Sequence, residues 1–134
     1  MQSYKVLPIG RLESDLTDRN IAPMQGSEGA PPAWLEVLPD YSDAVKDVTV
    51  GDRLLVFTWL HLASRETLQV HPRDDPSRPL TGVFSTRSPD RPNPIGLHPV
   101  TVLEIEGLRL LVSDMEAVDG TPVIDIKPVI RQRH

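Results

Sequence analysis

Proline restricts this chain more than any other residue type does. The 134 residues include 14 prolines, about twice the usual share of about 5%. Proline lacks a backbone N–H and fixes φ, so it interrupts helices and is confined to strand edges, turns and loops. The sequence therefore favours short strands and shaped loops over long helices.

The densest proline segment is "TRSPDRPNPIG", residues Thr86–Gly96. Its prolines hold Ser88, Arg91 and Asn93 in extended backbone, because the residue before a proline is restricted as well. Side chains that are held in advance lose little entropy when a ligand arrives, which suits a recognition loop. The alternative interpretation is a barrel corner whose arginines only pair with acidic neighbours such as Asp90.

Short strand-like segments, bounded by turn residues, hold most of the remaining apolar residues. They carry β-branched residues in near alternation with polar ones, which is typical of strands. Because no helices of normal length separate them, the sequence predicts a mainly β fold, a single-domain β-barrel with at most short helices. The predicted strands are Tyr4–Leu12, Ala33–Pro39, Asp52–Leu62, Gly82–Thr86, Pro99–Gly107, Leu108–Asp114 and Pro122–Val129.

The segments between the predicted strands differ in kind. One short helix is predicted over Asp40–Val48, where apolar side chains share a face behind an Asp or Ser cap. The stretches Ser14–Pro32 and His61–Thr81 lack periodicity. Loops longer than about 12 to 15 residues in a compact domain are usually functional or disordered. We therefore expect long functional loops on the barrel.

Several classes of protein are excluded by what the sequence lacks. Without cysteine there is no disulfide, no thiolate zinc site, no Fe–S cluster and no catalytic thiol. No Gly-rich phosphate loop or GxSxG elbow is present, so Rossmann-type nucleotide binding is not supported. The spacing of His61, His71 and His98 is not that of metal ligands, and we expect no metal.

Charge and hydropathy indicate where the protein works. The N-terminus has no apolar region of signal-peptide length, and nowhere do about 18 apolar residues run together. We therefore expect a cytoplasmic protein that does not enter a membrane. The net charge of -5 is unusual for a nucleic-acid binder, because phosphate contacts call for clustered Lys and Arg. Binding of a nucleic acid would need a local basic patch.

A second dense segment, "AVDGTPVIDIKPV", begins at Ala117 with a turn signature. The alternation of the following strand predicts Asp125 and Lys127 on one face and Ile124 and Ile126 on the other. Two opposite charges at this spacing usually form a surface ion pair that contributes little to the stability of the fold. A carboxylate that lines a cleft can instead take or orient a proton, and both interpretations stay open.

Two blocks, "GVFSTRSPDRPNPIGLHPVTVLEIEG" and "DMEAVDGTPVIDIKPV", resemble the signature of the TrmO family, also called YaeB-like or VirR-like proteins. The segments "PIGRLES", "APMQG", "LEVLPDY" and "LLVFTWLH" follow the family's order, so the resemblance covers nearly the whole chain. The family consists of S-adenosylmethionine-dependent methyltransferases. Its characterised function is N6 methylation of threonylcarbamoyladenosine beside the anticodon of certain tRNAs.

The resemblance implies a β-barrel methyltransferase unrelated to the Rossmann type. It implies a homodimer with S-adenosyl-L-methionine in a cleft near the subunit interface, tRNA as partner, and residues 1–134 as one TrmO-like domain without the extra C-terminal domain of many bacterial members. Arg87 would meet an anionic group, and Glu116 a ribose hydroxyl or the amine. By motif position the cofactor-binding residues would be Pro23, Met24, Gln25, His61, Leu62, Arg87, Leu97, Ser113, Asp114, Met115 and Glu116.

Methyl transfer from a sulfonium depends mainly on positioning, because the acceptor must meet the methyl carbon at near-attack distance. A carbamoyl nitrogen is a poor nucleophile until it loses its proton, so a base would help. Asp119 and Asp125 are the candidates for that base. Arg91, Asn93 and Lys127 are candidates for orienting the acceptor, since an Arg fork suits a carboxylate or phosphate.

Two alternatives to a tRNA methyltransferase stay open. The net charge of -5 and the short C-terminus favour a methyltransferase for a small-molecule acceptor. Met24 stands where the family usually has Arg, so the chain lacks that charge. This departure favours a non-catalytic regulatory protein that binds S-adenosylmethionine.

Overall fold

The computed structural model describes residues 1–17 and 29–130. Within these ranges no helix is both long and apolar enough to cross a membrane. The helical segments of the described chain are short 3-10 helices at Pro39–Val45, Pro72–Asp74 and Val83–Ser85. The strands are β1 (Gly10–Glu13), β2 (Ala33–Val37), β3 (Arg53–Trp59), β4 (Gln69–Val70), β5 (Thr81–Gly82), β6 (Ile95–Glu106), β7 (Arg109–Val112) and β8 (Pro122–Pro128).

Strands β1, β2, β7, β6, β3 and β8 form a closed barrel in that order, and β4 and β5 form a separate two-stranded sheet. Neighbouring barrel strands are antiparallel. The 12-residue strand β6 pairs with β3 along its first part and with β7 along its second. Closure leaves no free sheet edge. The predicted mainly β barrel with short helices is confirmed.

Alternate residues of the strands fill the barrel. In β2 and β3 the buried positions recur at every second residue, because successive side chains of a strand point to opposite faces. The inward side chains are mostly Leu and Val, and each contributes about 1.5–3 kcal/mol when fully buried. The core includes Leu12, Leu35, Val37, Leu54, Val56, Val100, Val102, Leu110, Val112, Met115 and Val123.

Some predicted elements have other bounds or another form. The β6–β7 hairpin turns after Glu106, at Gly107, which takes φ 58. The predicted strand Gly82–Thr86 is wrong, because its centre is a 3-10 helix over Val83–Ser85. The first predicted strand pairs only from Gly10. Upstream of Ile9 the residues are exposed, so no core contact supports a longer strand.

The register brings the functional segments to one end of the barrel. Because neighbouring strands are antiparallel, β1, β3 and β7 finish where β2, β6 and β8 begin, as the pairs Trp59↔Ile95 and Ala33↔Val112 show. We call this the loop end. Four segments emerge there: those that follow Trp59 and Val112, the turn before Pro122, and the proline-rich residues 86–94 before Ile95. We call residues 86–94 the proline loop.

Candidate functional site

The proline loop is tied to the segment that follows β3. The Ser64 N–H donates to Asp90 Oδ1 at 2.8 Å, and the Arg91 N–H donates to the Ser64 carbonyl at 3.0 Å. The Arg65 Nε donates to the Pro92 carbonyl at 2.8 Å. These bonds join two loops that are distant in sequence, and we call this joined part of the loop end the rim. The charge of Asp90 is used on a backbone group, as a shaped corner would require.

Arg65 and Asn93 extend this connection. The Arg65 Nη2 donates to Asn93 Oδ1 at 3.0 Å, and its guanidinium lies 5.0 Å from the centre of the Trp59 ring. A cation over an aromatic face gains about 0.5–1 kcal/mol at an exposed site. Asn93, predicted to orient an acceptor, thus already has one partner for its oxygen and is exposed.

Arg91, also predicted to orient the acceptor, shapes its own loop. Its Nε donates to the Ser88 carbonyl at 2.8 Å and its Nη2 to the Thr86 carbonyl at 2.6 Å. The Nη2 also donates to the Val83 carbonyl. The side chain is half-buried. This arrangement favours a role in holding the loop, and contact with an acceptor remains a prediction.

The other predicted residues of the rim are accessible. Arg87, His61 and Leu62 are exposed beside the loop end. Leu97 is half-buried and pairs in register with Phe57 on the outside of the barrel. These positions are compatible with a ligand on the rim. The predicted residues Pro23, Met24 and Gln25 lie outside the described residues.

A chain of polar side chains lies inside the barrel beneath this rim. The His98 ring is only 2% exposed. Its Nδ1 lies 2.6 Å from Glu116 Oε1, and its Nε2 lies 2.6 Å from Oγ1 of the fully buried Thr58. An ionised carboxylate only accepts hydrogen bonds, so the Nδ1 carries the proton toward Glu116, and Thr58 satisfies the second nitrogen.

Gly96 makes room for this polar chain. A Cβ at this position would come within 2.6 Å of His98 Nε2 and would also overlap Thr58 Oγ1. Real Cβ atoms do not approach so closely, and both neighbours are buried and hydrogen-bonded. The last residue of the proline loop signature is therefore required by the interior, not by a special backbone angle.

Glu116 uses only one of its two oxygens on the protein. Its Oε2 is buried and has no hydrogen-bond partner among the described residues. A buried acceptor without a partner costs about 1–3 kcal/mol. The whole side chain keeps 16% of its surface exposed, so part of this residue reaches solvent. The arrangement leaves one acceptor for a hydroxyl or ammonium group of a ligand.

The segment Ser113–Glu116 is held firmly after β7. The Ser113 N–H donates to the Thr101 carbonyl at 3.0 Å, and the Thr101 N–H donates to Ser113 Oγ at 2.9 Å. Asp114 is exposed and takes φ 52, in the left-handed region that non-glycine residues rarely adopt. Met115 is fully buried in the core. Of the predicted residues that the structure describes, Glu116 is the one whose side chain has a buried polar atom without a partner.

Asp119 lies in a separate open cleft. Its Oδ1 accepts from the Ser14 N–H at 3.0 Å, and its N–H donates to the Leu16 carbonyl at 2.6 Å. The side chain is exposed. The cleft is acidic and is lined by Glu13, Ser14, Asp15, Pro32, Ala33, Trp34, Leu111 and Asp119.

Asp125 and Lys127 lie on the outer face of β8. With Phe57, Ile95 and Ile124 they line a second depression. A register shift opposite Phe57 leaves Ile124 beside the charged residues, so its predicted place with Ile126 is wrong. Asp125 Oδ1 accepts from the N–H of Ile126 at 2.8 Å.

The two predicted bases therefore belong to different depressions. Asp119 and Asp125 share no lining residue between their clefts, and their role as base remains a prediction. Within residues 1–17 and 29–130, no group of three or more His, Asp or Glu that could hold a metal ion is found.

The pairing of His98 with Glu116 was missed by reasoning from the sequence. The signal was the alternation of Gly96, His98, Val100 and Val102 along β6, which puts the histidine on the same inward face as the valines. A histidine between buried valines is more informative than its spacing from other histidines.

Known proteins resemble this chain over nearly its whole length. The family model described as the tRNA-methyltransferase O N-terminal domain matches residues 11–133. The crystal structure of TrmO from Pseudomonas aeruginosa matches with a TM-score of 0.75 and 29% identity, over 96% of this chain and 57% of that chain. The chain thus spans just over half the length of that solved protein. The resemblance to the TrmO family is confirmed.

Two archaeal relatives align over most of both sequences. A probable S-adenosyl-L-methionine-binding protein of Methanothermobacter thermautotrophicus is 44% identical over 124 residues, 92% of this chain and 88% of the relative. An S-adenosyl-L-methionine-binding protein of Archaeoglobus fulgidus is 41% identical over 120 residues, 90% of this chain and 85% of the relative. The chain therefore belongs to the tRNA-methyltransferase O family, a family of S-adenosylmethionine-dependent methyltransferases.

Proposed function

We propose that this protein binds S-adenosyl-L-methionine and methylates N6 of threonylcarbamoyladenosine in tRNA, beside the anticodon. The observation that carries the proposal is the family match over residues 11–133. The similarity to a solved TrmO supports a tRNA as acceptor. The names of the archaeal relatives support the cofactor. The protein works in the cytoplasm as a homodimer, in keeping with what the family resemblance implies.

The loop end fits the chemistry of this cofactor. S-adenosylmethionine carries ribose hydroxyls and an ammonium group, each of which can donate a hydrogen bond to the unused Glu116 Oε2. It also carries a carboxylate, for which the exposed Arg87 is a matching cation. No Gly-rich loop is needed, because the cofactor has no phosphate.

The protein's own contribution is orientation. S-adenosylmethionine supplies an activated methyl group when bound. The residues of the rim would orient the acceptor nitrogen toward that methyl, which passes to the nitrogen as its bond to sulfur breaks and S-adenosylhomocysteine leaves. Positioning of this kind can supply about 7–11 kcal/mol of the barrier. Asp119 or Asp125 takes the proton that the nitrogen loses. Arg91, Asn93 and Lys127 orient the acceptor.

A second candidate is methylation of a small molecule. The net charge of -5 favours it, because tRNA binding normally requires clustered basic residues. The cleft beside Asp119 also favours a small molecule, since Asp15 lines it as well and two carboxylates there would repel a phosphate backbone. A third candidate is a binding protein without turnover, which the Met24 substitution favours.

Two measurements test these candidates in order. Calorimetry with S-adenosylmethionine and S-adenosylhomocysteine should show binding of both, and absence of binding for both would refute all three candidates. A tRNA that carries unmethylated threonylcarbamoyladenosine should then be incubated with protein and cofactor, and its nucleosides analysed by mass spectrometry. A methylated threonylcarbamoyladenosine supports the tRNA function. An unchanged nucleoside, with intact cofactor binding, favours the small-molecule or regulatory candidates.

A further inference from the structure

We propose that His98 is a positioning residue, which fixes Glu116 so that its Oε2 accepts a hydrogen bond from a hydroxyl or ammonium group of the bound cofactor. Thr58 in turn fixes the histidine ring. The inference rests on the proposed cofactor binding and adds residues that lie behind the contact surface. It assigns a function to a buried polar chain that core packing does not explain.

The geometry divides the Glu116 carboxylate into two halves. Its Oε1 lies 2.6 Å from His98 Nδ1, whereas its Oε2 has no partner among the described residues. A hydrogen bond that involves a charged group is stronger than one between neutral groups. The bond from His98 therefore restrains the carboxylate before a ligand arrives, and less entropy is lost on binding.

A purely structural role would leave a different arrangement. Buried polar groups in native cores are nearly always hydrogen-bonded, and an orphan acceptor calls for an explanation. Around His98, the inward neighbours Val56 and Val100 are fully buried and apolar, and a valine at position 98 would continue the pattern. The protein instead has two polar residues there, Thr58 and His98. They connect to Glu116, whose Oε2 has no partner among the described residues.

The contacts of His98 are specific to each ring nitrogen, and this suggests a matched pair of variants. The amide nitrogen of Asn lies close to where Nδ1 lies in His, and the amide of Gln reaches the place of Nε2. His98→Asn therefore keeps a donor for Glu116 and loses the Thr58 contact. His98→Gln keeps the Thr58 contact and loses the donor for Glu116.

The test is calorimetric titration of the full chain and both variants with S-adenosylhomocysteine. His98→Gln should weaken binding about 5- to 10-fold, because the freed Glu116 side chain must then be ordered when the ligand binds. His98→Asn should stay within about 3-fold of the unchanged protein. Equal affinities for the two variants would overturn the proposal, whether both were weak or both were normal.

Thermal unfolding separates positioning from a general loss of structure. Both variants remove one buried contact, so their Tm values should fall by similar amounts while only His98→Gln loses affinity. If a variant does not fold, Thr58→Val provides a second test. This variant should weaken binding by less than His98→Gln does, about 3-fold. Affinity equal to that of the unchanged protein would show that Thr58 does not help to hold the His98 ring.

A ligand fragment identifies which donor meets Oε2. Methylthioadenosine keeps the ribose hydroxyls and lacks the ammonium group. If His98→Gln weakens this fragment as much as S-adenosylhomocysteine, the donor is a hydroxyl; if it weakens only S-adenosylhomocysteine, the donor is the ammonium. If the unchanged protein binds neither ligand, the proposed function fails. Binding without a difference between the Asn and Gln variants overturns only the role of His98.

Discussion

The carboxylates inside and outside the loop end differ in how the protein satisfies them. Glu116 is mostly buried, is held by His98 through one oxygen, and has no partner for the other among the described residues. Asp119, Asp125 and Asp75 reach solvent and accept hydrogen bonds from nearby backbone N–H groups. An exposed acceptor can accept a hydrogen bond from water, whereas the buried Oε2 of Glu116 is available for a donor on a ligand. Burial and an unused oxygen therefore distinguish Glu116 from the other carboxylates that were named from charge or motif position.

The largest effect is expected at Gly96, where the space for the interior chain is tightest. Gly96→Ala places a Cβ 2.6 Å from His98 Nε2, so His98 or Thr58 must move. We expect the free energy of unfolding to fall by about 1–3 kcal/mol and cofactor binding to be lost. Denaturant unfolding and calorimetry measure the two effects.

Gly82→Ala is the matched control. Gly82 has φ -59, and no atom lies within 4 Å of the place that a Cβ would take, so alanine fits there without strain. Its unfolding free energy should change by less than about 0.5 kcal/mol. Equal effects at Gly82 and Gly96 would contradict the crowding that distinguishes the interior from the exposed loops.

The comparison of carboxylates is tested directly by amide substitution. Glu116→Gln removes the charge on the acceptor and should weaken cofactor binding about 10- to 100-fold. Its free energy of unfolding should change by less than about 1 kcal/mol, because the amide oxygen still accepts from His98 and the amide NH2 takes the unpartnered place of Oε2. Asp125→Asn, on the outer face of β8, should leave the affinity unchanged. A larger loss of affinity for Asp125→Asn would place the cofactor on the outer depression.

Local patterns in the sequence predicted the barrel, but they could not predict the hydrogen-bonded series of Thr58, His98 and Glu116 in its interior. The strand predicted over Ala33–Pro39 from local alternation forms over Ala33–Val37. The segment Gly82–Thr86 has strand-like composition, yet Val83–Ser85 forms a 3-10 helix, and Arg91 donates to the carbonyls of Val83 and Thr86. Glu116 was predicted from the family resemblance alone, and its bond to His98 joins residues 18 positions apart.

Arg87 tests the rim of the loop end rather than its interior. Arg87→Ala should weaken cofactor binding about 3- to 10-fold, because the side chain is exposed and solvent screens its charge. The loss should shrink as salt is added. Arg11→Ala removes an exposed charge from β1 and serves as the control. Calorimetry at two salt concentrations measures both, and equal affinities for the two variants would remove Arg87 from the cofactor site.

The smallest effect is expected at Asp75, the opposite case to Glu116. The Ser77 hydroxyl at 2.6 Å and the Ser77 N–H at 2.9 Å both donate to Asp75 Oδ1 and lower its pKa, with a further contribution from Arg78. Because the folded pKa lies below the unfolded value, this stabilisation is present above the unfolded pKa and is lost as the pH falls through the folded pKa. Ser77→Ala should raise the pKa of Asp75 toward its ordinary range in an NMR titration, whereas the exposed Ser42→Ala should not. Cofactor affinity should be the same in both variants, because Asp75 is hydrogen-bonded within its own loop and needs no donor from a ligand.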